Sequence, residues 1–260
     1  MKVPPPPYVP GHALLAGKNV LVTAAAGTGI GFATARRCVE EGARVMLSDI
    51  HERRLGEAVT ELAELAGEAP PSRLCNVREE DQVRALVAAA EAELGSVDVL
   101  VNNAGLGGTA NLVDMTDTQW YDVLETTLTG TFRMMRAMLP AMIERQGGVI
   151  VNNASVLGWR AQAGQAHYAA AKAGVMALTR CTALEAAEHG VRINAVAPSL
   201  ATHPFLAKVT PQALLDELEQ REAFGRGAEV WEVANVMVFL ASDYSSYMTG
   251  ETVSVSSQHP

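Results

Sequence analysis

Residues 19–31 read Asn-Val-Leu-Val-Thr-Ala-Ala-Ala-Gly-Thr-Gly-Ile-Gly, and the fold is decided there. The run from Asn19 to Thr23 is short, apolar and β-branched, the composition of a buried strand. Small residues follow, and beyond Gly31 apolar residues recur at helical spacing to about residue 41. A strand that turns into a helix through residues without bulk leaves backbone N–H groups open at the helix start, where a pyrophosphate can be held. By themselves Gly27, Gly29 and Gly31 are weak evidence, since any tight turn favours glycine.

The same alternation runs along the whole chain. Further strands are predicted over 44–48, 73–77, 97–102, 148–153, 191–196 and 252–256. Helices are predicted over 29–41, 51–66, 79–94, 118–145, 166–189, 211–222 and 230–240. About seven strands separated by helices require crossover connections, hence an α/β protein with a parallel sheet covered on both faces, the doubly wound architecture. No linker, repeat or composition break divides the 260 residues. The prolines at 4–7 set residues 1–13 apart as a flexible or extended arm in front of one domain over 14–260.

Hydrophobic residues make up 48% and charged residues 19%, enough to fill a core and too few charges for a solvated coil. No apolar run reaches the ~18 residues of a membrane helix, and the proline-rich start lacks the hydrophobic stretch of a secretion signal. A cytoplasmic protein with no membrane partner is expected. Twenty Lys plus Arg against 29 Asp plus Glu leave a formal charge of −9, which disfavours nucleic acid as a partner. Cys38, Cys75 and Cys181 have no paired spacing and no histidine cluster nearby. No metal site is expected, and all three are read as buried apolar residues.

Asp49 closes the second strand, 49 − 29 = 20 residues beyond Gly29. A carboxylate there can accept from both hydroxyls of an adenine-side ribose and opposes a 2′-phosphate, so NAD is expected over NADP. Arg53 and Arg54 can soften that preference unless they lie on a solvated helix face. The fourth strand ends in Asn102 and Asn103 followed by Ala104 and Gly105, which suits a strand end facing a dinucleotide. Ser155 follows the fifth strand, and Tyr168 opens the next helix 168 − 155 = 13 residues later. Lys172 shares the Tyr168 face of that helix, so its ammonium is expected to favour the ionised phenol. A phenol with an ordinary pKa of ~10 needs such help to move protons at neutral pH. Singly, Ser155 reads as a turn residue and Tyr168 as a packed aromatic; with Lys172 they read as a catalytic set.

In this order and spacing the motifs resemble the short-chain dehydrogenase/reductase family over about residues 14–257. The resemblance rests on Gly29-Ile30-Gly31, the Asn-Asn-Ala-Gly run at 102–105, Ser155 with Tyr168-x-x-x-Lys172, and Asn194-Ala195-Val196-Ala197-Pro198. It implies a Rossmann-type fold and an oxidoreductase that interconverts a secondary alcohol and a ketone. It further implies Tyr168 as proton donor or acceptor, Ser155 as the hydroxyl polarising the substrate oxygen, and Lys172 as phenol tuner and nicotinamide-ribose ligand. Cofactor contacts are implied at Thr23, Gly27, Thr28, Gly29, Ile30, Gly31, Asp49, Asn76, Val77, Asn103, Ala104, Gly105, Pro198 and Thr202, the last toward the carboxamide. The chain departs from the family pattern in three places. Ala24 replaces the usual first glycine, with one extra residue before Gly29. Thr127 stands where a relay asparagine is common, and is kept among the catalytic residues because a hydroxyl can hold water. Ser199 and Ser256-Ser257 replace the usual residues after Pro198 and near the C-terminus.

The substrate pocket is expected from 106–111, 156–165 and a loop over about 199–225, beyond the strand ends. Leu106, Leu157, Trp159, Leu200, Phe205 and Leu206 suit an apolar body, and Arg160, His203 and Lys208 suit an anionic tail such as a coenzyme A thioester. The glycine loop and residues 151–162 also resemble actinobacterial members acting on ring-derived hydroxyacyl-CoA esters in steroid degradation. The family likeness implies a homotetramer packed through the helices over 118–145 and 166–189. Met134, Met135, Met138 and Met142 form a stripe read as a buried helix or subunit face. Trp120, Trp159 and Trp231 are read as packing residues, and His167 as a neighbour of Tyr168 without a catalytic role. Two other readings are carried: a 3-oxoacyl reductase using NADPH on an acyl carrier, and a non-catalytic NAD-binding regulator. The intact Ser155, Tyr168 and Lys172 oppose the second.

Overall fold

In the computed structural model, which describes residues 2–203, 206 and 212–257, the strand β1 (Asn19–Thr23) divides the core in two. Val20 and Val22 join Phe32, Leu47, Leu55 and Met237 on one face, while Leu21 joins Met46, Leu86, Leu100 and Ile150 on the other. A strand with three successive apolar residues, Val20, Leu21 and Val22, is one buried on both faces, because successive side chains point to opposite sides.

After β1 come α1 (Ile30–Glu40), β2 (Arg44–Asp49), α2 (Glu52–Ala66), β3 (Ser72–Leu74), α3 (Glu80–Leu94) and β4 (Val99–Asn102). The second half holds α4 (Asp117–Leu124), α5 (Gly130–Glu144), β5 (Gly148–Asn153), α6 (Ala166–Ala186) and β6 (Val191–Pro198). Two-residue strands β7 (Ala201–Thr202) and β8 (Ala228–Glu229) flank α7 (Gln212–Arg221), and α8 (Val230–Ala241) leads to β9 (Thr252–Val255). Seven strands form one parallel sheet in the order β3-β2-β1-β4-β5-β6-β9, and β7 pairs with β8 apart from it. From β1 the chain proceeds toward β2 and from β4 toward β5, in opposite directions. The loops at their C-terminal ends therefore part and leave a crevice. The fold is the single-domain Rossmann-type sheet that the sequence leads one to expect.

Two elements and one cysteine differ from the expectation. The strand expected over 73–77 is only Ser72–Leu74, because Asn76 turns the chain: its Oδ1 accepts from the Arg78 N–H at 3.1 Å, an Asx turn. The long helix expected over 118–145 is interrupted by a π segment, Glu125–Thr129, between α4 and α5. Its start is fixed by a capping box in which Thr116 Oγ1 accepts from Gln119 N at 3.2 Å and Gln119 Oε1 accepts from Thr116 N at 2.9 Å. Cys181 is exposed, contrary to the sequence reading, whereas Cys38 and Cys75 are buried and burial pushes their thiols up to about 12 and about 11. The methionine stripe lies wholly inside the core, so it is not a subunit face.

Residues 2–13 hold no helix or strand and lie along the body of the protein. Val3 N donates to Phe224 O at 2.9 Å, and Arg226 Nε donates to Val3 O at 2.9 Å. Tyr8 meets Trp231 edge-on at 5.3 Å. Glu41 accepts from His12 N at 2.8 Å and Leu14 N at 3.0 Å, and pairs with Arg37 at 2.6 Å. Burial works to raise its pKa, yet these donors hold the carboxyl below its usual value. Among the described residues no helix is long and apolar enough to cross a membrane.

Candidate active site

The turn from β1 to α1 is shaped by contact with its neighbour, the end of β4. A Cβ on Gly31 would fall 2.1 Å from Ala24 O and 2.3 Å from Asn103 Nδ2, so glycine is required. Ala24 itself has φ +48, a left-handed conformation that costs an alanine ~1–2 kcal/mol. The loop holds it there: Asn103 Nδ2 donates to Ala24 O at 3.0 Å, Ala25 N to Ser48 O at 2.9 Å, and Ala26 N to Asp49 Oδ2 at 3.1 Å. No side chain caps the start of α1, which leaves its first N–H groups for an anion.

Asp49 is almost fully buried at the end of β2, and its Oδ1 accepts from His51 N at 2.9 Å. Burial raises its pKa, against the Ala26 hydrogen bond and the nearby Arg54 charge. Arg53 pairs with Glu57 at 2.6 Å on the exposed face of α2. Asn76 and Val77 sit in the turn before α3. Val77 packs so tightly on Gly130 that a Cβ there would lie 2.6 Å from Val77 Cγ2.

At the ends of β4 and β5 two asparagine pairs lie side by side. Asn102 Nδ2 donates to Asn152 Oδ1 at 2.9 Å, and Asn152 Nδ2 donates to Thr179 Oγ1 at 2.9 Å, all inside the core. Asn153 Nδ2 donates to Asn103 Oδ1 at 2.8 Å, nearer the crevice. Asn152 and Asn153 repeat at the end of β5 the doubled amide of 102–103, which is the sequence signal for this pairing. Lys172 Nζ then donates to Asn153 O at 2.6 Å.

Ser155 leaves β5 in an extended conformation, and its Oγ accepts from Leu157 N at 3.2 Å, which starts the short turn Val156–Gly158. Its hydroxyl also bonds Tyr168 in the first turn of α6. The structure therefore brings Ser155, Tyr168 and Lys172 together. It corrects the electrostatics, however: Lys172 Nζ lies 5.5 Å from the Tyr168 ring centre and is bonded to Asn153, not to the phenol. Burial pushes Tyr168 up to about 12, opposed by the Ser155 hydrogen bond, and pulls Lys172 down to about 8. In this structure the phenol holds its proton at neutral pH.

Thr127 is buried in the π segment, and its hydroxyl accepts from Leu106 N at 3.0 Å and donates to Leu106 O at 3.2 Å. With its proton committed to Leu106, it fastens the loop after β4 and keeps one lone pair with which to accept. Gly105 keeps the space between Thr127 and the lysine open; a Cβ there would sit 3.5 Å from Lys172 Nζ and 3.6 Å from Thr127 Oγ1.

Two expected contacts are otherwise engaged. Thr23 Oγ1 accepts from Asn103 N at 3.0 Å and Ala104 N at 3.2 Å and donates to Val101 O at 3.3 Å, so it stitches β1 to β4 and has no hydrogen-bonding capacity left. Thr202 Oγ1 donates to Ala228 O at 3.3 Å, turned toward β8. Gly27, Thr28 and Gly29 line a cavity of about 370 Å³ on the outer side of the loop, beside Tyr8 and Trp231.

A larger cleft of about 630 Å³ contains Ile30, Asn153, Ser155, Tyr168 and Pro198 in its wall. Leu157, Leu200, Leu214 and Leu218 line it further out, with Arg160, His203 and Arg221. Trp159 is half exposed on its rim, a correction to its reading as a packing residue. Leu106 is exposed and not part of the wall. Phe205 and Lys208 lie outside the described residues.

An uncapped helix start, a bulk-free turn and a buried carboxylate stand at the C-terminal ends of β1 and β2, and a hydroxyl pair with a lysine stands past the ends of β4 and β5 on the same edge of the sheet. These residues fit a nicotinamide dinucleotide, so fold and site define a nicotinamide-dependent oxidoreductase. The family model described as enoyl-(acyl carrier protein) reductase matches residues 24–257. The chain is 61% identical over 256 residues, 98% of each chain, to the (5R,7aS)-5-hydroxy-7a-methyl-1-oxo-2,3,5,6,7,7a-hexahydro-1H-indene-carboxyl-CoA reductase of Mycobacterium tuberculosis. It is 40% identical to a 3-oxoacyl-(acyl-carrier-protein) reductase of Thermotoga maritima, over 93% of this chain and 97% of that one. A crystal structure of a short chain dehydrogenase from Mycobacterium smegmatis superimposes with a TM-score of 0.87 at 57% identity, covering 98% of both chains. That of levodione reductase gives 0.89 at 34% identity, covering 94% of this chain and 97% of that one. The chain belongs to the short-chain dehydrogenase/reductase family.

Proposed function

We propose that the protein is an NAD-dependent reductase of a ring-derived coenzyme A thioester, converting a ketone to a secondary alcohol and back. One observation carries this reading: the bonded hydroxyls of Ser155 and Tyr168 share a cleft with Arg160 and Arg221. NAD, when bound, supplies the hydride chemistry. Ser155 donates a hydrogen bond to the substrate oxygen and stabilises the charge that grows there. Tyr168, a neutral phenol at pH 7, gives that oxygen its proton. Lys172 holds the nicotinamide-side ribose and stays cationic below a pKa of about 8. Gly27, Thr28, Gly29, Ile30 and Gly31 face the pyrophosphate, Asp49 the adenine-side diol, Asn76 and Val77 the adenine, and Asn103, Ala104, Gly105 and Pro198 the nicotinamide half. Thr127 acts through the backbone of Leu106. Leu157, Leu200 and Leu214 suit an apolar ring system, and the guanidinium of Arg160 suits the anionic CoA moiety. The printed name of the Mycobacterium tuberculosis relative, a carboxyl-CoA reductase, supports the same substrate class.

The protein is further proposed to be a cytoplasmic homotetramer. Exposed apolar side chains, Phe132 on α5 and Leu184 on α6, supply surfaces for the contacts between copies; light scattering that reports a monomer overturns this. The test of function is a panel of ring-derived and linear ketoacyl-CoA esters, a 3-oxoacyl carrier protein and simple ketones, each with NADH and NADPH. Fastest turnover of a ring-derived CoA ester with NADH is expected. Asp49→Ala is expected to lower the NADH-to-NADPH efficiency ratio about tenfold. A preference for NADPH and the acyl carrier favours the second reading, which the Thermotoga maritima relative supports.

A further inference from the structure

We infer that Asn153 is a further cofactor-binding residue, whose Oδ1 accepts a hydrogen bond from a hydroxyl of the nicotinamide-side ribose. The inference rests on the NAD reading above and adds a residue to it. It begins with the orientation of two amides, which the backbone dictates. The carbonyl of Ala24 only accepts, so Asn103 must present Nδ2 to it, as it does at 3.0 Å. Asn103 Oδ1 is thereby turned toward Asn153, which must answer with Nδ2, at 2.8 Å. Flipping either amide would set two donors or two acceptors face to face.

The atom left over is Asn153 Oδ1. It is buried from solvent and accepts no hydrogen bond, a state that burial penalises. The residue is held at its other end by Lys172 Nζ on its own carbonyl at 2.6 Å, and it lies in the wall of the cleft with Ser155 and Tyr168. The inner pair offers the contrast: Asn102 Oδ1 also lacks a donor, but Asn102 takes no part in the cleft wall.

The chemistry of the missing donor follows from Lys172, an ammonium that can only donate. A ribose hydroxyl that accepts from Lys172 keeps its own proton and must place it on an acceptor. Asn153 Oδ1, on the residue whose carbonyl already holds the lysine, meets that need. A ketone substrate has no proton to offer, and among the remaining donors the ribose hydroxyl is the one that Lys172 brings to Asn153.

The test is calorimetric titration of wild-type protein, Asn153→Leu and Asn153→Ser with three probes: ADP, which lacks the second ribose, ADP-ribose, which carries it, and NADH. Both variants are expected to bind ADP as wild type does and to bind ADP-ribose and NADH about tenfold more weakly. An equal loss for ADP would mean that the amide only supports the glycine loop, and overturns the inference. A loss confined to NADH would assign the atom to the carboxamide, and unchanged binding of all three would assign it to nothing; either overturns it too. Failure of the NAD reading gives a different result, wild-type protein that binds neither NADH nor ADP, and the inference falls with it.

Discussion

The two sides of the cleft are built from different materials. Between β1 and β4 the wall is backbone: Gly31 touches the Ala24 carbonyl, Thr23 gathers the amides of Asn103 and Ala104, and Asp49 holds the loop through Ala26. Beyond β6 the wall is side chain, with Leu200, His203, Leu214 and Arg221 carried on segments next to the two-residue ladder between β7 and β8. Backbone walls tolerate no added atom. Side-chain walls accept graded change.

The largest effect is expected where the two sides meet. Tyr168→Phe removes the proton donor and is expected to lower kcat at least ~100-fold while NADH binding persists; full turnover would sink the assignment. The same group sets the pH dependence. With Tyr168 pushed up to about 12 by burial, reduction uses the abundant neutral phenol. Alcohol oxidation needs the scarce ionised one, so its rate should climb with pH, by at most about tenfold per unit. Rates of both directions from acid to alkaline buffer check the sign.

Gly31→Ala attacks the backbone side. Overpacking of ~1–3 kcal/mol is expected to weaken NADH binding roughly 10- to 100-fold, whatever the substrate. Arg160→Ala attacks the side-chain side and should raise KM for a CoA thioester about tenfold, leaving KM for NADH and turnover of an uncharged ketone unchanged. Equal effects of the two variants on both KM values would erase the distinction. The smallest change works in favour of the protein: Ala24→Gly relieves the φ of +48 and should raise stability by ~0.5–1 kcal/mol, the strain relief exceeding the added chain entropy. A thermal melt reads it.

The backbone side was the legible one. Its demands are steric, and they show as small residues in a fixed order, so the turn at 24–31 and the strand end at 102–105 could be read directly. What depends on where a proton or a burial boundary falls could not. That the hydroxyls of Thr23 and Thr202 bond Val101 and Ala228 is not visible in the sequence. Lys172 and Tyr168 share a helix face, but the depth at which the face is buried, which decides the phenol's titration, comes from packing by other elements. Val77 looks like a strand residue, yet Asn76 had already turned the chain. Cys181 has the residue type of a core and a place on the outer face of α6.

The arm ahead of β1 has a practical meaning. Lys2 is ion-paired with Glu219 on α7, Val3 bonds Phe224 and Arg226, and Tyr8 leans on Trp231 beside the cavity of the glycine loop. The first dozen residues thus tie α7, which lines the larger cleft, to the cavity beside the glycine loop. An affinity tag or fluorescent fusion placed at the amino end pulls on both at once, whereas trimming residues 2–13 away removes the Lys2 ion pair of α7 and leaves Ser257, bonded to Glu222 and Ala223, to hold its C-terminal end.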